Sequence, residues 1–222
     1  MKRATLLIFA LLLLLPMFTF AEQDAGYGVK SAYGDWKWMG GRLVQLDVRA
    51  GMAQAHYFLP QTGVIQYEFD VKYLAGGMDG YAAFGAHIGI DKPHASKSWG
   101  NGKSFLLWLT YDPKTYGGLG VYGQAYKSAS SSVMGVLHKE TAYAVPPSRL
   151  GGLEADKLAM YSLPVKIVVD YDSGWCKVYD PVRANYYYKF TLGQAIRGGR
   201  YVALRTSSLA CSFGNFKVTK LR

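Results

Sequence analysis

The segment Ile65-Gln-Tyr-Glu-Phe-Asp-Val-Lys-Tyr73 alternates apolar and polar residues without a fault. Ile65, Tyr67, Phe69, Val71 and Tyr73 fall on one side, and Gln66, Glu68, Asp70 and Lys72 on the other. Successive side chains of a strand point to opposite faces, so a period of two specifies a strand with one buried and one wet face. Antiparallel sheets carry that pattern, whereas parallel strands read as continuous apolar runs. The same period recurs from Trp36 onward, with Gly, Asp and Pro at the turns. Trp36 to Val48 reads as a hairpin about Gly40-Gly41, and Val165 to Tyr171 with Trp175 to Tyr179 as a hairpin across Asp172-Ser-Gly174. Tyr81 to Ile90 sets Phe84, Ala86, Ile88 and Ile90 against Tyr81, Gly85, His87 and Gly89. Ser104 to Tyr111 is more apolar and central, Leu119 to Tyr126 places Tyr122, Gln124 and Tyr126 on one side, and Asn185 to Leu192 is a further strand. Tyr201 to Thr206 and Cys211 to Leu221 close the chain as two strands joined by a Ser-rich turn. No βαβ rhythm and no fixed-period repeat is present. The chain is predicted to be all-β.

The segment 128–162 breaks this rhythm. It holds a Ser run, an isolated His138, Pro146-Pro147 and Gly151-Gly152, with room for one helix from Leu153 to Tyr161. It is expected to be an irregular insertion, longer than an ordinary β-connection, and such loops are commonly functional or disordered. Val133, Val136, Leu137, Leu153 and Leu158 favour function, because a disordered loop would lack them.

The N-terminus reads as a targeting segment. Lys2 and Arg3 precede an apolar run from Ala4 to Leu15, and Thr19-Phe-Ala21 supplies small residues at a cleavage site. The expectation is a signal peptide over 1–21 and one domain over 22–222, exported to the periplasm or extracellular space. An uncleaved anchor is the alternative. After cleavage no stable membrane insertion is expected, since no second apolar stretch is long enough to span. Half of the residues are hydrophobic, enough for a full core without metal or disulfide staples. The net charge of +10, or +8 once Lys2 and Arg3 are removed with the signal peptide, draws such a protein to acidic partners: anionic glycans, cell-envelope polymers or phospholipid head groups. In that compartment nucleic acid is not an expected partner. The charge lacks any run of Lys and Arg, so a merely solvated basic surface accounts for it equally well. Cys176 and Cys211 can either bridge, as pairs in an oxidising compartment do, or serve as two small buried side chains. Both readings stay open.

Four stretches, in order, resemble one fold family: Trp36-Lys-Trp-Met-Gly-Gly-Arg-Leu-Val-Gln45; Gln66-Tyr-Glu-Phe-Asp-Val-Lys72 followed by Gly80-Tyr-Ala-Ala-Phe-Gly-Ala-His-Ile88; Leu163 to Tyr179; and Gly199 to Leu221 with its Ala-Leu-Arg-Thr and Phe-Gly-Asn-Phe-Lys-Val. They are similar to the strand pairs of the concanavalin A-like (laminin-G-like) lectin and glucanase superfamily. The resemblance implies a two-sheet antiparallel jelly-roll sandwich that binds or processes sugars. Its catalytic members need two carboxylates, which laminarinase-like members carry as Glu-x-Asp-x-x-Glu. Glu68 and Asp70 have the first spacing, but Tyr73 stands where the second glutamate belongs. The pair is more simply a solvated strand face, and a non-enzymatic role is preferred without excluding a hydrolase.

Other chemistry finds little support. His56, His87, His94 and His138 have no metal-ligand spacing, and no Gly-x-Ser-x-Gly elbow is present. No cofactor is expected. Calcium has only Asp79, Asp91 and Asp112 at strand ends, without a dense acidic loop. What stands out is aromatic content, with 18 Tyr among 222 residues. Aromatic rings stack on the apolar faces of pyranoses while amides bond the hydroxyls. Tyr81, His87, Trp99, Tyr122, Gln124 and Tyr126 are therefore the candidate ligand-binding residues, with Glu68 and Arg205 of the same chemical type. The competing reading is that Tyr simply suits a pleated sheet. A glycan-binding, lectin-like protein is the first expectation. An envelope coat or flagellar-sheath-type protein, paired with another envelope protein, is the second.

Overall fold

The computed structural model describes residues 29–77, 82–112, 120–138, 144–145, 161–181, 183, 185–193 and 199–222. These form fifteen strands and no helix. They are β1 (Val29–Tyr33), β2 (Trp36–Met39), β3 (Arg42–Gln45), β4 (Ala53–Phe58), β5 (Val64–Gly76), β6 (Ala83–Ile90), β7 (Ser104–Asp112) and β8 (Gly120–Ser128). There follow β9 (Met134–His138), β10 (Ala144–Val145), β11 (Ser162–Asp170), β12 (Trp175–Tyr179), β13 (Tyr187–Thr191), β14 (Tyr201–Ser207) and β15 (Leu209–Lys220). The first sheet runs β1-β4-β14-β6-β7-β8-β10, with β9 also on β8, and the second runs β13-β12-β11-β5-β15-β3-β2. All recorded pairings are antiparallel. The expected all-β two-sheet sandwich is what the chain forms. The signal peptide over 1–21 and the helix over Leu153–Tyr161 lie outside the described residues. Within the segment expected to be irregular, Met134–His138 and Ala144–Val145 are strands that extend the first sheet.

The faultless alternation of β5 has its expected consequence. Ile65, Tyr67, Phe69 and Val71 are buried between the sheets, against Phe84, Ala86 and Ile88 of β6, Val165 and Ile167 of β11, and Leu204 of β14. The last two strands do not form one hairpin in one sheet. Ser208, in the left-handed region at φ 51°, passes the chain from β14 in the first sheet to β15 in the second. This crossing closes the sandwich along its length, and Tyr57 of β4 stacks on Phe216 of β15 with centroids 4.8 Å apart.

Cys176 and Cys211 are free, buried thiols. They sit on β12 and β15, separated by β11 and β5. Register puts Cys176 beside Val169, which lies opposite Ile65, whereas Cys211 lies opposite Tyr73. Three strand spacings and eight residues along β5 exceed disulfide reach, so the open question resolves to two core thiols. Burial raises the pKa of both.

A buried polar knot ties the sheets at one end. Gln61, between β4 and β5, accepts through Oε1 from Tyr67 Oη (2.9 Å), Tyr171 Oη (2.7 Å) and the Gly89 amide (2.9 Å). Its Nε2 donates to the carbonyls of Tyr201 (2.8 Å) and Leu59 (3.2 Å). Tyr67 comes from the second sheet and Gly89 and Tyr201 from the first, so one amide satisfies donors and acceptors of both. Gln61→Leu removes this partner from the Gly89 amide and the Tyr201 carbonyl and leaves the Tyr67 and Tyr171 hydroxyls only each other, 2.7 Å apart. It is expected to lower unfolding stability by about 2–4 kcal/mol, read from the urea midpoint at constant m-value.

Candidate functional site

Alternation sends Gln54 and His56 of β4, Arg205 of β14, Gly85 and His87 of β6, Ser104, Leu106, Trp108 and Thr110 of β7, and Gln124, Tyr126 and Ser128 of β8 to the outer face of the first sheet. That face is not simply wet. Residues 91–103, which link β6 to β7, fold back across its β4–β14–β6 part and are bonded to it throughout. Gln54 Nε2 donates to the carbonyls of His94 (2.9 Å) and Ser96 (3.0 Å) and to Ser98 Oγ (3.1 Å). Asn101 Nδ2 donates to Gln54 Oε1 at 2.6 Å, and Asn101 Oδ1 accepts from the His94 amide at 2.8 Å.

The centre of this cover is Arg205, which is fully buried. Its Nη1 donates to the Trp99 carbonyl (2.7 Å) and His87 Nδ1 (2.9 Å), and its Nη2 to the carbonyls of Ser98 and Met52. Among the described residues no carboxylate forms an ion pair with it. Burial draws its pKa down to about 9, so the guanidinium stays charged at neutral pH, neutralised only by carbonyl dipoles and an imidazole. Arginine can only donate, so His87 Nδ1 is an acceptor and its proton resides on Nε2. From there it bonds Ser104 Oγ at 2.7 Å, and Ser104 in turn donates to the Asn101 carbonyl at 2.9 Å. Burial, followed by the charge of Arg205, holds His87 well below the ordinary histidine pKa, and burial lowers His56 to about 4. Both are neutral structural imidazoles.

Because Arg205 grips the Trp99 carbonyl, the backbone there is fixed and the indole is held over the β7–β8 half of the face. Trp99 meets Tyr126 edge-on at 5.2 Å and Trp108 at 6.3 Å. Trp108 is buried and forms the floor, whereas Trp99, Tyr126 and Gln124 are half-buried and form the wall. Gln124 Oε1 accepts from Thr110 Oγ1 (3.1 Å) and Tyr126 Oη (2.9 Å), which orients the amide. Among the described residues its Nε2 has no partner. Gly85 lies in register between Arg205 and Trp108, where a Cβ would sit 2.1 Å from the Leu107 carbonyl oxygen. A bare backbone is needed at that crossing.

The structure thus brings Trp99, Gln124 and Tyr126 together. Tyr122 lies on β8 opposite Thr110, two residues before Gln124 and on the same face. Tyr81 lies outside the described residues. His87, expected on a wet face, is fully buried and supports the site from beneath. Sequence reading missed Trp108, Arg205's clamp, and Gln54 and Asn101. The alternation of β6 implied a wet face only because a covering segment cannot be seen in the pattern of the strand it covers.

The carboxylate pair has a different role. On the outer face of the second sheet Asp70 accepts from Arg42 Nη2 (2.6 Å), Ser162 Oγ (2.7 Å) and Asn215 Nδ2 (2.5 Å). Partial burial raises its pKa, but these bonds outweigh it and hold the carboxyl below its ordinary value. Glu68 is flanked in register by Lys166 and Lys217. Asp70 is a structural acceptor pinning β3, β11 and β15 to β5. Among the described residues no three His, Cys, Asp or Glu side chains gather to hold a metal. Asp91, one of the calcium candidates, accepts the Lys103 amide and closes the covering segment, whereas Asp79 lies outside the described residues.

No protein-family model and no curated protein sequence matches this chain. Solved structures do resemble it. A carbohydrate binding module, CBM66, from Bacillus subtilis superposes with a TM-score of 0.57 at 14% identity, over 86% of this chain and 95% of that one. A legume lectin-like domain from Entamoeba histolytica gives 0.57 at 8% identity over 92% and 97%. The potassium-bound Emp46p carbohydrate recognition domain gives 0.53 at 11% identity over 86% and 87%. At these identities the likeness establishes the concanavalin A-like β-sandwich fold.

The buried histidines dictate an acid response. Their folded pKa values lie below the unfolded value of about 6.5, so the unfolded chain binds more protons as pH falls through that value. Stability is therefore expected to fall from pH 6.5 towards pH 4, with His56 contributing about 3 kcal/mol of the loss once its folded pKa of about 4 is passed. In His56→Gln the pH slope of the urea midpoint should flatten over that window, whatever the level of stability at pH 7.

Proposed function

We propose that this protein is a non-enzymatic, lectin-like glycan-binding domain that acts after export, using the β7–β8 half of the first sheet's outer face. The observation that carries the reading is the joint placement of the Trp99 and Tyr126 rings beside an oriented Gln124 amide, over a Trp108 floor. Rings offer stacking surface to the C–H face of a pyranose, and an amide with a free N–H offers a hydroxyl partner. The wall is pre-organised: Trp99 is held through its carbonyl by Arg205, and Gln124 by Thr110 and Tyr126. Little ordering entropy then opposes binding. The structural neighbours, among them a carbohydrate binding module, a carbohydrate recognition domain and a legume lectin-like domain, agree with this reading. Asp70, engaged by three donors, argues against the alternative in which it serves a hydrolase.

A neutral polysaccharide panel followed by tryptophan fluorescence tests this. Saturable binding that survives physiological salt is expected. Trp99→Ala and Tyr126→Ala should each weaken it about tenfold, the scale of a lost stacking contact. Binding unchanged in both variants would remove the reading.

A further inference from the structure

The opposite side of the molecule carries a second arrangement. On the outer face of the second sheet, the β12–β13 register sets Trp175 across from Thr191, Lys177 across from Lys189, and Tyr179 across from Tyr187. Ring, cation and ring therefore follow one another along the strands. Lys189 Nζ stands 4.2 Å from the Trp175 ring centroid, Lys177 Nζ 4.4 Å from Tyr187, and Lys166 Nζ of β11 4.8 Å from Tyr179. At the β12–β13 connection the Arg183 guanidinium lies 4.6 Å from Tyr186. Trp175, Tyr186 and Tyr187 are 45%, 61% and 47% exposed. Arg183 pairs with the buried Asp180, but Lys166, Lys177 and Lys189 form no ion pair among the described residues.

Like charges directly opposite one another destabilise a sheet, and here Lys177 and Lys189 occupy one cross-strand pair. Lysine on an exposed edge strand guards against edge pairing, which would account for Lys189 on β13. It does not account for Lys177 and Lys166, which lie on interior strands β12 and β11. Cation–π contact compensates in part, and it also holds each ammonium in place above its ring. The result is an ordered cationic array on the outer face of the sheet, with side-chain entropy already reduced.

We propose that this β11–β12–β13 face binds an anionic polysaccharide bearing carboxylates, a polyuronate, independently of the site on the first sheet. Regularly spaced carboxylates meet ammonium groups spaced by the strand ladder, roughly 5 Å across strands and 7 Å along them, while the exposed ring edges contact sugar C–H groups. Single-stranded nucleic acid relies on base stacking, and each of these rings already carries a cation over its face. A membrane surface would call for protruding aliphatic side chains, and the β12 and β13 rows present rings, lysines and Thr191 instead.

The test uses the full protein with polygalacturonate, its fully methyl-esterified form, poly-dT and vesicles of phosphatidylcholine with phosphatidylserine. Binding to polygalacturonate is expected, with loss of binding on esterification and weaker binding to poly-dT and vesicles. Lys177→Glu, which sets an acid opposite Lys189, should weaken polygalacturonate binding at least about tenfold while leaving the urea midpoint unchanged or raised. It should leave neutral-glycan binding at Trp99 intact, so failure of one site is distinguishable from failure of the other. The proposal is overturned by absent polygalacturonate binding at low salt, by equal affinity for the esterified polymer, poly-dT or vesicles, or by unchanged affinity in the variant. A lowered urea midpoint in Lys177→Glu would also overturn it, because the lysine would then be structural.

Discussion

A positive charge buried without a carboxylate is the constraint around which the candidate site is built. Arg205 sits on β14 in the middle of the first sheet, with β4 on one side and β6 on the other. Left under an apolar cover, its guanidinium would be costly to bury. The chain meets this by laying residues 91–103 across it so that the Ser98 and Trp99 carbonyls point inward. Those carbonyls would themselves be unsatisfied without the arginine. Each side therefore requires the other, and Gln54, Asn101 and Ser128 extend the same exchange along the segment. The compensation is incomplete, since among the described residues Arg205 Nε and His56 Nε2 remain without partners. A polar network of this type fixes one arrangement at some expense of stability.

The two sheets deal with their outer faces differently, and the difference decides where ligands can go. On the first sheet, residues 91–103 cover the β4–β14–β6 part, and among the described residues the β7–β8 half is left with aromatic walls. On the second, no described segment covers β11–β13, and Lys166, Lys177 and Lys189 lie on that face. Asp70 shows that charge on this second face can be structural, since its three donors come from three other strands of the same sheet, β3, β11 and β15. Lys166 lies across from Glu68, but Lys177 and Lys189 face each other with no acid in register, and this contrast within one face separates a structural carboxylate from cations left to a partner.

What could be read from the sequence follows from what each strand has on its two sides. β5 has core on one face and water on the other, so alternation announced both its class and its orientation. The hairpins β2–β3 and β11–β12 were legible because Gly40-Gly41 and Asp172-Ser-Gly174 supply the turns. β4, Ala-Gln-Ala-His-Tyr-Phe, gave no signal. Its residues Ala53 to His56 are buried on both faces, but by a core on one and a polar cover on the other, so small and polar residues replace the expected apolar run. His87 was misplaced for the same reason. The strands in 128–162 were hidden because β9 and β10 are short and add to an existing sheet edge, where backbone bonding needs little help from side-chain pattern. Trp99 was identifiable by residue type alone; its position over Tyr126 depends on the buried arginine.

That dependence explains how a loop residue can serve a rigid site. Loops ordinarily carry binding groups at an entropic disadvantage, because the segment must be ordered when ligand arrives. Here the ordering is accomplished during folding. Releasing Trp99 would return the Arg205 charge to water but would strand Gln54, Asn101 and Ser104, which bond the same segment. The ring is thereby coupled to the buried polar network beneath it rather than to the loop alone. The coupling also runs through His87, whose Nδ1 must stay unprotonated to accept from Arg205. Protonation would set two cations against each other in the interior, so acid should loosen the Trp99 wall before it unfolds the sheets. Neutral-glycan affinity would then decline at a higher pH than the far-ultraviolet β-signal, and titrating both in one sample checks the order.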